Sequence, residues 1–216
     1  LKADREVVLA AVKQEGIALQ HADEELKADR EVVLAAVRDD YRALEYADDK
    51  LKNIQDFLIS AIKLNGEILA LAEIKLSSYR EIVLDAVRSR GSALKYADIK
   101  FMSDREVVLD AVRQDGSALK YADIKFISDR EVVLDAVREN GCSLEYANEK
   151  LTEDREVVLA AVRQDGCSLL YADIKFRSDR EVVLAAAQSG SFDSDFVNPN
   201  LLNKLKEEGL LENDKL

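Results

Sequence analysis

Residues 103–126 read SDREVVLDAVRQDGSALKYADIKF, and residues 127–151, which follow directly, read ISDREVVLDAVRENGCSLEYANEKL. The second stretch repeats the first with few changes, which indicates a tandem repeat. The pattern extends in both directions with a constant spacing of 25 residues and no insertion. Copies begin at residues 4, 29, 54, 79, 104, 129, 154 and 179, and we number them one to eight. Seven copies are complete, and the eighth is expected to keep only its first half.

Each copy contains two stretches that are typical of helices, separated by a break. In the fifth copy Val107, Val108, Ala111 and Val112 lie on one face of a helix, a spacing that a strand does not produce. The second stretch, SALKYADIKF, is shorter and carries apolar residues at helical spacing. Each copy is therefore predicted to be a helical hairpin of about 11 plus 9 residues.

The ends of the first helix carry recognisable signals. Ser103 and Glu106 are expected to form a capping box, and the same pair recurs in other copies. Where alanine replaces the serine, the next residue, such as Asp4, is expected to cap the helix. Gly116 and its equivalents follow the helix and are expected to adopt a left-handed conformation. Tyr41 takes that place in the second copy, at an expected backbone cost.

A single hairpin of this length buries too little apolar surface to be stable alone, so neighbouring copies must stack. The sequence therefore predicts an all-α fold, an α-solenoid formed by residues 1–189. Residues 190–216 are predicted to be a loop followed by a short amphipathic helix, PNLLNKLKEEG, that starts at Asn198–Pro199 and stops at Gly209. This helix either caps the last apolar face or belongs to a tail that binds a partner.

Composition restricts the possible partners. The chain has 216 residues, 48% of them hydrophobic, and a formal net charge of −12. Such a charge repels phosphate groups, so we expect neither nucleic acid nor anionic membranes as ligands, but a protein or peptide with a basic face. No transmembrane span and no signal peptide are visible, and the two cysteines favour a reducing compartment, so a cytoplasmic location is expected. The chain opens within a repeat, which suggests a piece of a longer protein.

The stretch DREVVLAAVKQEGIALQHADEELKADREVVLAAV, residues 4–37, resembles a helical repeat family catalogued as a domain of unknown function. The family unit of about fifty residues corresponds to two of the present copies, and the resemblance covers residues 1 to about 188. The third copy departs most from the pattern. Similar repeats occur in secreted effectors of intracellular bacteria and in protist proteins, so the resemblance also allows delivery into a host cytosol. It implies no activity, cofactor or catalytic residue.

Catalysis is not expected within these residues. The chain has no glycine-rich phosphate loop, no nucleophile elbow and no zinc-protease motif. His21 is the sole histidine and occupies a position where other copies have tyrosine. Cys142 and Cys167 lie at the same position of adjacent copies, too far apart for a disulfide, and are expected to be small apolar fillers. We therefore expect no cofactor and no metal site.

Two side-chain ladders recur once per copy. The arginines could hold a carboxylate-rich ligand, or each could bond an aspartate or carbonyl group of the adjoining copy, with Asp98, Asp123 and Asp173 as candidates. The tyrosines could form an aromatic track for a peptide, or could pack with their hydroxyl groups at a wet edge. The arginine ladder is Arg5, Arg30, Arg80, Arg105, Arg130, Arg155 and Arg180, and the tyrosine ladder is Tyr46, Tyr96, Tyr121, Tyr146 and Tyr171.

Positions that vary between otherwise similar copies are the better candidates for partner binding. The exposed apolar pair Met102 and Ile127, flanked by Lys95 and Lys120, is the first choice for a peptide anchor. The alternative is that these positions vary only because exposed side chains tolerate substitution. The full candidate set is Lys95, Met102, Lys120, Ile127, Glu145, Thr152, Leu170 and Arg177.

Two further surfaces are candidates. The first is an acidic stripe of Asp85, Asp110 and Asp135, for which a solvated face is the default interpretation. The second is the apolar third copy, with Phe57, Leu58, Ile59, Leu64 and Ile68, which either packs between sub-arrays or offers a docking patch.

Three functions remain open at this point. The first is a non-catalytic scaffold that binds a protein or peptide. The second is a targeting array attached to an effector or enzyme domain outside this segment. The third is a structural spacer or stabilising subunit of a large assembly.

Overall fold

The computed structural model describes residues 1–71 and 77–211, and these residues form helices and turns without a β-strand. One α-helix starts at the second residue of every copy, and we name these helices α1 to α8. A ninth helix, α9, follows near the C-terminus. Their bounds are Arg5–Gln14, Arg30–Asp39, Gln55–Leu64, Arg80–Ser89, Arg105–Gln114, Arg130–Glu139, Arg155–Gln164, Arg180–Gln188 and Pro199–Glu207.

The second half of each copy is not the α-helix of about nine residues that was predicted. It begins with a 3₁₀ segment, at Gly16–His21, Tyr41–Tyr46, Gly66–Ala70, Gly91–Tyr96, Gly116–Tyr121, Gly141–Tyr146 and Gly166–Tyr171. After a break, most copies add one short turn. The described α-helical turns are Glu24–Lys27, Asp49–Lys52, Ile99–Met102 and Glu149–Thr152, and Ile174–Ser178 is a 3₁₀ turn. In the eighth copy the 3₁₀ turn Ser194–Phe196 lies where the first 3₁₀ segment ends in the other copies.

Hydrogen bonds at the Ala-Asp pair explain the break. Ala122 is extended, with ψ 156°, and the Asp123 side chain accepts a hydrogen bond from the Lys125 N–H at 3.1 Å. The Asp123 N–H donates to the carbonyl oxygen of Met102, in the preceding copy, at 2.9 Å. Both bonds compete with continuation of the helix. Because one of them is tertiary, the period of the sequence alone does not reveal it.

This bond between copies recurs along the chain, and we call it the backbone link. Each link joins an N–H to a carbonyl 21 residues earlier, over 2.8 to 3.2 Å. The donor–acceptor pairs are Asp23–Lys2, Asp48–Lys27, Asp98–Ser77, Asp123–Met102, Asn148–Ile127, Asp173–Thr152 and Asn198–Arg177. The last donor, Asn198, lies in the predicted C-terminal segment of residues 190–216, so the eighth copy continues into its second half. Asn198 also caps α9, the predicted C-terminal helix, whose Leu205 is fully buried.

Aspartate, not serine, caps the long helices. The Asp104 carboxylate accepts hydrogen bonds from the N–H groups of Glu106 and Val107, and Asp4 caps α1 in the same way, as predicted. The predicted capping box of Ser103 is wrong, because its hydroxyl donates instead to Asp123 at 2.6 Å. In the third and fourth copies Ile54 and Tyr79 occupy the aspartate position, and neither supplies a side-chain cap.

The repeated glycines do not adopt the predicted left-handed conformation. Among the described residues only Gly190 and Gly209 have positive φ, and no other residue type does. The position of Gly116 requires glycine for a different reason, because a Cβ atom there would lie 2.2 Å from the carbonyl oxygen of Ala136 in the next copy. The backbone cost expected for Tyr41 is therefore wrong as well.

The chain divides into two compact units, Leu1–Phe101 and Met102–Leu216. In the first unit α1 packs on α2, α2 on α3 and α3 on α4. In the second unit α5 packs on α6, α6 on α7 and α7 on α8, while the 3₁₀ segments form a second layer. Leucines such as Leu119, Leu144 and Leu169 are completely buried between these layers. The predicted all-α solenoid is confirmed. In the described part of the chain, no helix combines the length and the apolar character that a membrane span needs.

Candidate functional site

Ion pairs join the N-terminal ends of successive long helices. Arg130 donates through Nε to Asp154 at 2.8 Å and also pairs with Glu156. The same arrangement, with the N-cap aspartate and the glutamate two residues later, holds Arg5, Arg105 and Arg155. These arginines therefore serve stacking between copies. Their partners are the N-cap carboxylates and not the candidates proposed from the sequence, Asp98, Asp123 and Asp173.

The ion pairs shift the pKa values of the carboxylates and of the arginines. The hydrogen bond from Arg130 is the largest influence that holds the pKa of Asp154 below its usual value, and Arg5 does the same for Asp29. The carboxylates in turn raise the pKa values of Arg5 and Arg130. Because the arginine side chains remain about half exposed, solvent screens each pair.

The tyrosine ladder lies on the 3₁₀ layer. Tyr121, Tyr146 and Tyr171 are half-buried, and Lys120 Nζ lies 4.9 Å from the Tyr121 ring centroid and 6.0 Å from that of Tyr146. One ammonium group thus lies near the rings of two successive copies, within the range of a cation–π interaction. The tyrosine rings are partly buried and carry a polar hydroxyl group. Lys120, which lies beside them, is one of the candidate binding residues.

The position before each tyrosine is exposed and chemically variable. In the second unit it holds Lys120, Glu145 and Leu170, which we call the variable column. Leu170 is 42% exposed, although the preceding Leu169 is completely buried. The structure therefore places a cation, an anion and an apolar side chain at the same position of three successive copies. Lys95, in the first unit, is half-buried and lies 3.8 Å from Glu67.

The second variable position behaves differently. Met102 and Ile127 are half-buried, so they are not the exposed apolar pair that was expected, and Thr152 and Arg177 are also half-buried. The carbonyl groups of these four residues accept the backbone link. The two variable positions adjoin in the second copy, where Lys52 Nζ donates to the carbonyl oxygen of Glu45 at 3.4 Å.

Among the described repeat residues, the most exposed apolar side chains were missed by sequence reasoning. Ile99, Ile124 and Ile174 are 79%, 76% and 73% exposed. The prediction of a continuous helix gave no reason to place them in solvent. A usable signal existed, because other copies carry an acidic residue at the same position, namely Glu24, Asp49 and Glu149. Because this position carries an acidic side chain in some copies, it is not expected to lie in the core in the others.

Two aspartates of the predicted acidic stripe form salt bridges with described residues. Asp135 pairs with Arg113 at 2.7 Å and, more distantly, with Arg138 at 3.8 Å. Asp85 lies 3.4 Å from Lys63 of the preceding copy, and Asp110 is not free either. Two of these three pairs, Asp135–Arg113 and Asp85–Lys63, link adjacent copies, which favours a structural role for Asp85 and Asp135.

The third copy uses much of its apolar content for packing. Phe57 and Ile68 are completely buried, whereas Leu58, Ile59 and Leu64 are half-buried. This distribution favours the packing interpretation for the two buried side chains. Two other apolar residues around this copy remain exposed: Ile54 at 47% and Leu71 at 38%.

Neither cysteine has the environment of an activated thiolate. Burial raises the pKa of Cys142 to about 11, and its Sγ lies 3.5 Å from the Asp165 carboxylate. Burial also raises the pKa of Cys167, whose Sγ donates to the Ser191 carbonyl oxygen at 2.8 Å. Within residues 1–71 and 77–211, no group of three or more His, Cys, Asp or Glu side chains is placed to hold a metal ion.

Comparison with known protein families supports this tandem architecture. The model of the family described as Domain of unknown function (DUF4116) matches residues 4–52, 55–102, 104–152 and 154–208. The chain belongs to the DUF4116 family. Each DUF4116 match spans two of the 25-residue copies, so the resemblance inferred from the sequence is confirmed. The fourth DUF4116 match includes α9, in agreement with the backbone link at Asn198. No curated protein and no solved structure matched the chain.

Proposed function

We propose that this chain is a non-catalytic scaffold that binds a protein or peptide through its 3₁₀ layer. The observation that carries the proposal is the contrast between adjacent positions. Leu119, Leu144 and Leu169 are identical and buried, whereas the variable column beside them is exposed and differs in charge and polarity. Repeat proteins commonly combine a constant frame with variable exposed residues that contact the ligand.

The frame tolerates this variation because no described ion pair or hydrogen bond between copies uses the side chains of Glu145 or Leu170, and Lys120 contacts only the tyrosine rings beside it. Copies are joined by backbone links, by buried leucines and by the arginine ion pairs. A change at Glu145 or Leu170 therefore leaves the junctions between copies in place. The half-buried tyrosines next to the column add apolar area and hydroxyl groups, which suit recognition of a peptide.

Charge favours a partner with a basic face. The net charge of −12 attracts cationic surfaces over several ångströms and speeds their association at low salt. Neither nucleic acid nor membrane lipid fits this field. Lys120 offers a local exception at which an acidic or aromatic group of the partner can pair.

The test is affinity capture from a cell lysate, followed by mass spectrometry, with three versions of the chain. One is wild type, and the second carries Lys120→Ser, Glu145→Ser and Leu170→Ser. The third carries Glu149→Ser and Lys150→Ser, which also removes one anion and one cation but from the neighbouring turn. We expect wild type and the third version to hold the same partner and the second to lose it. Equal capture by all three would refute recognition through the variable column.

A further inference from the structure

The ion-pair ladder has one gap in the first unit, and the gap coincides with the loss of two helix caps. At the N-cap position Ile54 and Tyr79 replace the aspartate found in the other six copies, and Gln55 replaces the arginine. Neither Ile54 nor Tyr79 caps its helix. We call Arg30, Ile54, Gln55, Tyr79 and Glu81 the ladder gap.

The gap leaves Arg30 without the carboxylate partners that the equivalent arginines, such as Arg5, have. Arg30 donates to Ser60 Oγ at 2.9 Å and more weakly to the backbone oxygen of Asp56 at 3.5 Å. Its guanidinium carbon lies 5.6 Å from the Phe57 ring centroid. Arg30 forms no ion pair with any described residue, whereas Arg5 pairs with two carboxylates.

The gap also leaves an anion unpaired on its other side. In the ladder Arg5 pairs with Glu31 and Arg130 with Glu156, each 26 residues later. The corresponding partner of Glu81 would be residue 55, which is Gln55 and carries no charge. Glu81 is exposed and, within the described ranges, takes part in no ion pair.

Two apolar side chains at the N-cap positions between Arg30 and Glu81 in the sequence are about half exposed. Ile54 is 47% and Tyr79 48% exposed, at the same position of adjacent copies. An open groove of about 620 Å³, lined by residues of the first two copies and by Leu64, also borders Arg30, whereas Ile54 and Tyr79 do not line it. Substitutions that give up caps and ion pairs without a gain in packing are expected at functional sites.

We propose that the ladder gap is a second docking site, which binds a short peptide segment carrying an acidic residue, an apolar residue or two, and a basic residue, in that order across the site. The acidic group pairs with Arg30, the apolar side chains cover Ile54 and Tyr79, and the basic group pairs with Glu81. One to two layers separate the charges, roughly 10–20 Å, which about three to six residues of extended peptide span. The proposal extends the binding function proposed above to a different face and can fail separately from it.

A triple variant separates binding from structure. Ile54→Asp, Gln55→Arg and Tyr79→Asp together restore both caps and complete the ladder, so this variant should fold at least as well as wild type. We expect its melting temperature to rise by about 4 °C. The same change places an aspartate against the acidic residue of the peptide and an arginine against its basic residue, so binding should weaken by about tenfold or more.

The probe is a phage-displayed library of random twelve-residue peptides, selected on immobilised wild type with subtraction on the triple variant. We expect the peptides that depend on the gap to share the acidic, apolar and basic pattern. Their affinity is then measured by fluorescence anisotropy on wild type, on the triple variant and on the variant of Lys120, Glu145 and Leu170. Loss only on the triple variant supports the proposal.

Two results would overturn it. One is that no peptide distinguishes wild type from the triple variant, and the other is that the selected peptides lack the charge pattern. Peptides that bind the triple variant normally but fail on the variant of Lys120, Glu145 and Leu170 would support the scaffold function while refuting the ladder gap as a site. A fall in the melting temperature of the triple variant would show that Ile54 and Tyr79 serve packing, and would also refute the proposal.

Discussion

Gly116 packs against the carbonyl oxygen of Ala136, twenty residues later in the next copy, so closely that a Cβ atom would lie 2.2 Å from that oxygen. Gly16 stands in the same relation to Ala36, at 2.3 Å. The glycines therefore set the distance between layers, which is a property of the stack and not of one helix end.

Gly116→Ala should accordingly destabilise the chain by about 3 kcal/mol, because the added methyl group forces two copies apart. Gly190→Ala is the matched control, since Gly190 has φ 87° and no atom within 4 Å of an added Cβ. Its cost should be about 1 kcal/mol, from the left-handed backbone alone. Urea unfolding monitored by circular dichroism measures both, and equal losses would contradict the close-packing role of Gly116.

Ser143→Ala should stabilise the chain. Ser143 is completely buried, and its hydroxyl has no hydrogen-bond partner in the described structure, while Ala43, Ala93 and Ala118 occupy the same position in other copies without exposure. Removing an unsatisfied hydroxyl should gain about 1 kcal/mol and raise the melting temperature by about 3 °C.

Ser168→Ala is the control for this change, because the Ser168 hydroxyl donates to the Asp165 carbonyl oxygen at 2.6 Å. Loss of that bond offsets the gain from removing a buried polar group, so no rise in melting temperature is expected. If calorimetry showed the same shift for both serines, the hydroxyl of Ser143 would not be the source of the difference.

Acid should weaken the stack through the N-cap aspartates. Arg130 lowers the pKa of Asp154 in the folded state, so the stability that this carboxylate contributes is present above its unfolded pKa of about 4. It is lost as the pH falls through the lower folded pKa. Asp154→Asn keeps an oxygen for the cap but cannot titrate, and should therefore show a smaller loss of stability between pH 7 and pH 3.

Arg130→Gln provides an independent check, since it removes the main cause of the lowered pKa. Its denaturation midpoints, followed from pH 7 to pH 3, should also fall less steeply than those of wild type. Profiles parallel to wild type in both variants would show that this pair does not contribute to acid sensitivity.

The repeat frame and the core could be predicted from the sequence, and the local geometry of the second half could not. Val108, Val112 and Leu119 recur at helical spacing and are all completely buried. The 3₁₀ segment escaped prediction because Tyr-Ala-Asp is compatible with a helix, and the Asp123 N–H donates the hydrogen bond that ends it to the Met102 carbonyl oxygen of another copy. Properties that depend on a neighbouring layer, such as the need for Gly116, have no signal within one copy.

The candidate site was predictable only in part for the same reason. Glu145 and Leu170 are exposed as expected, because their position changes charge and polarity from copy to copy. Met102 and Ile127 were placed on the wrong side of an assumed helix, and Ile124 was overlooked by the same assumption. Comparison of side-chain chemistry between copies was a better guide than the helical period.

The backbone link at Asn198 also bears on how such chains lengthen over evolution. Its donor and acceptor are main-chain atoms, and it forms equally with aspartate or asparagine on one side and with lysine, methionine or arginine on the other. A duplicated 25-residue segment thus brings a compatible junction with it at either end. Gene duplication can add or remove copies without first evolving a new interface, and each new copy is then free to change the side chains that face outward.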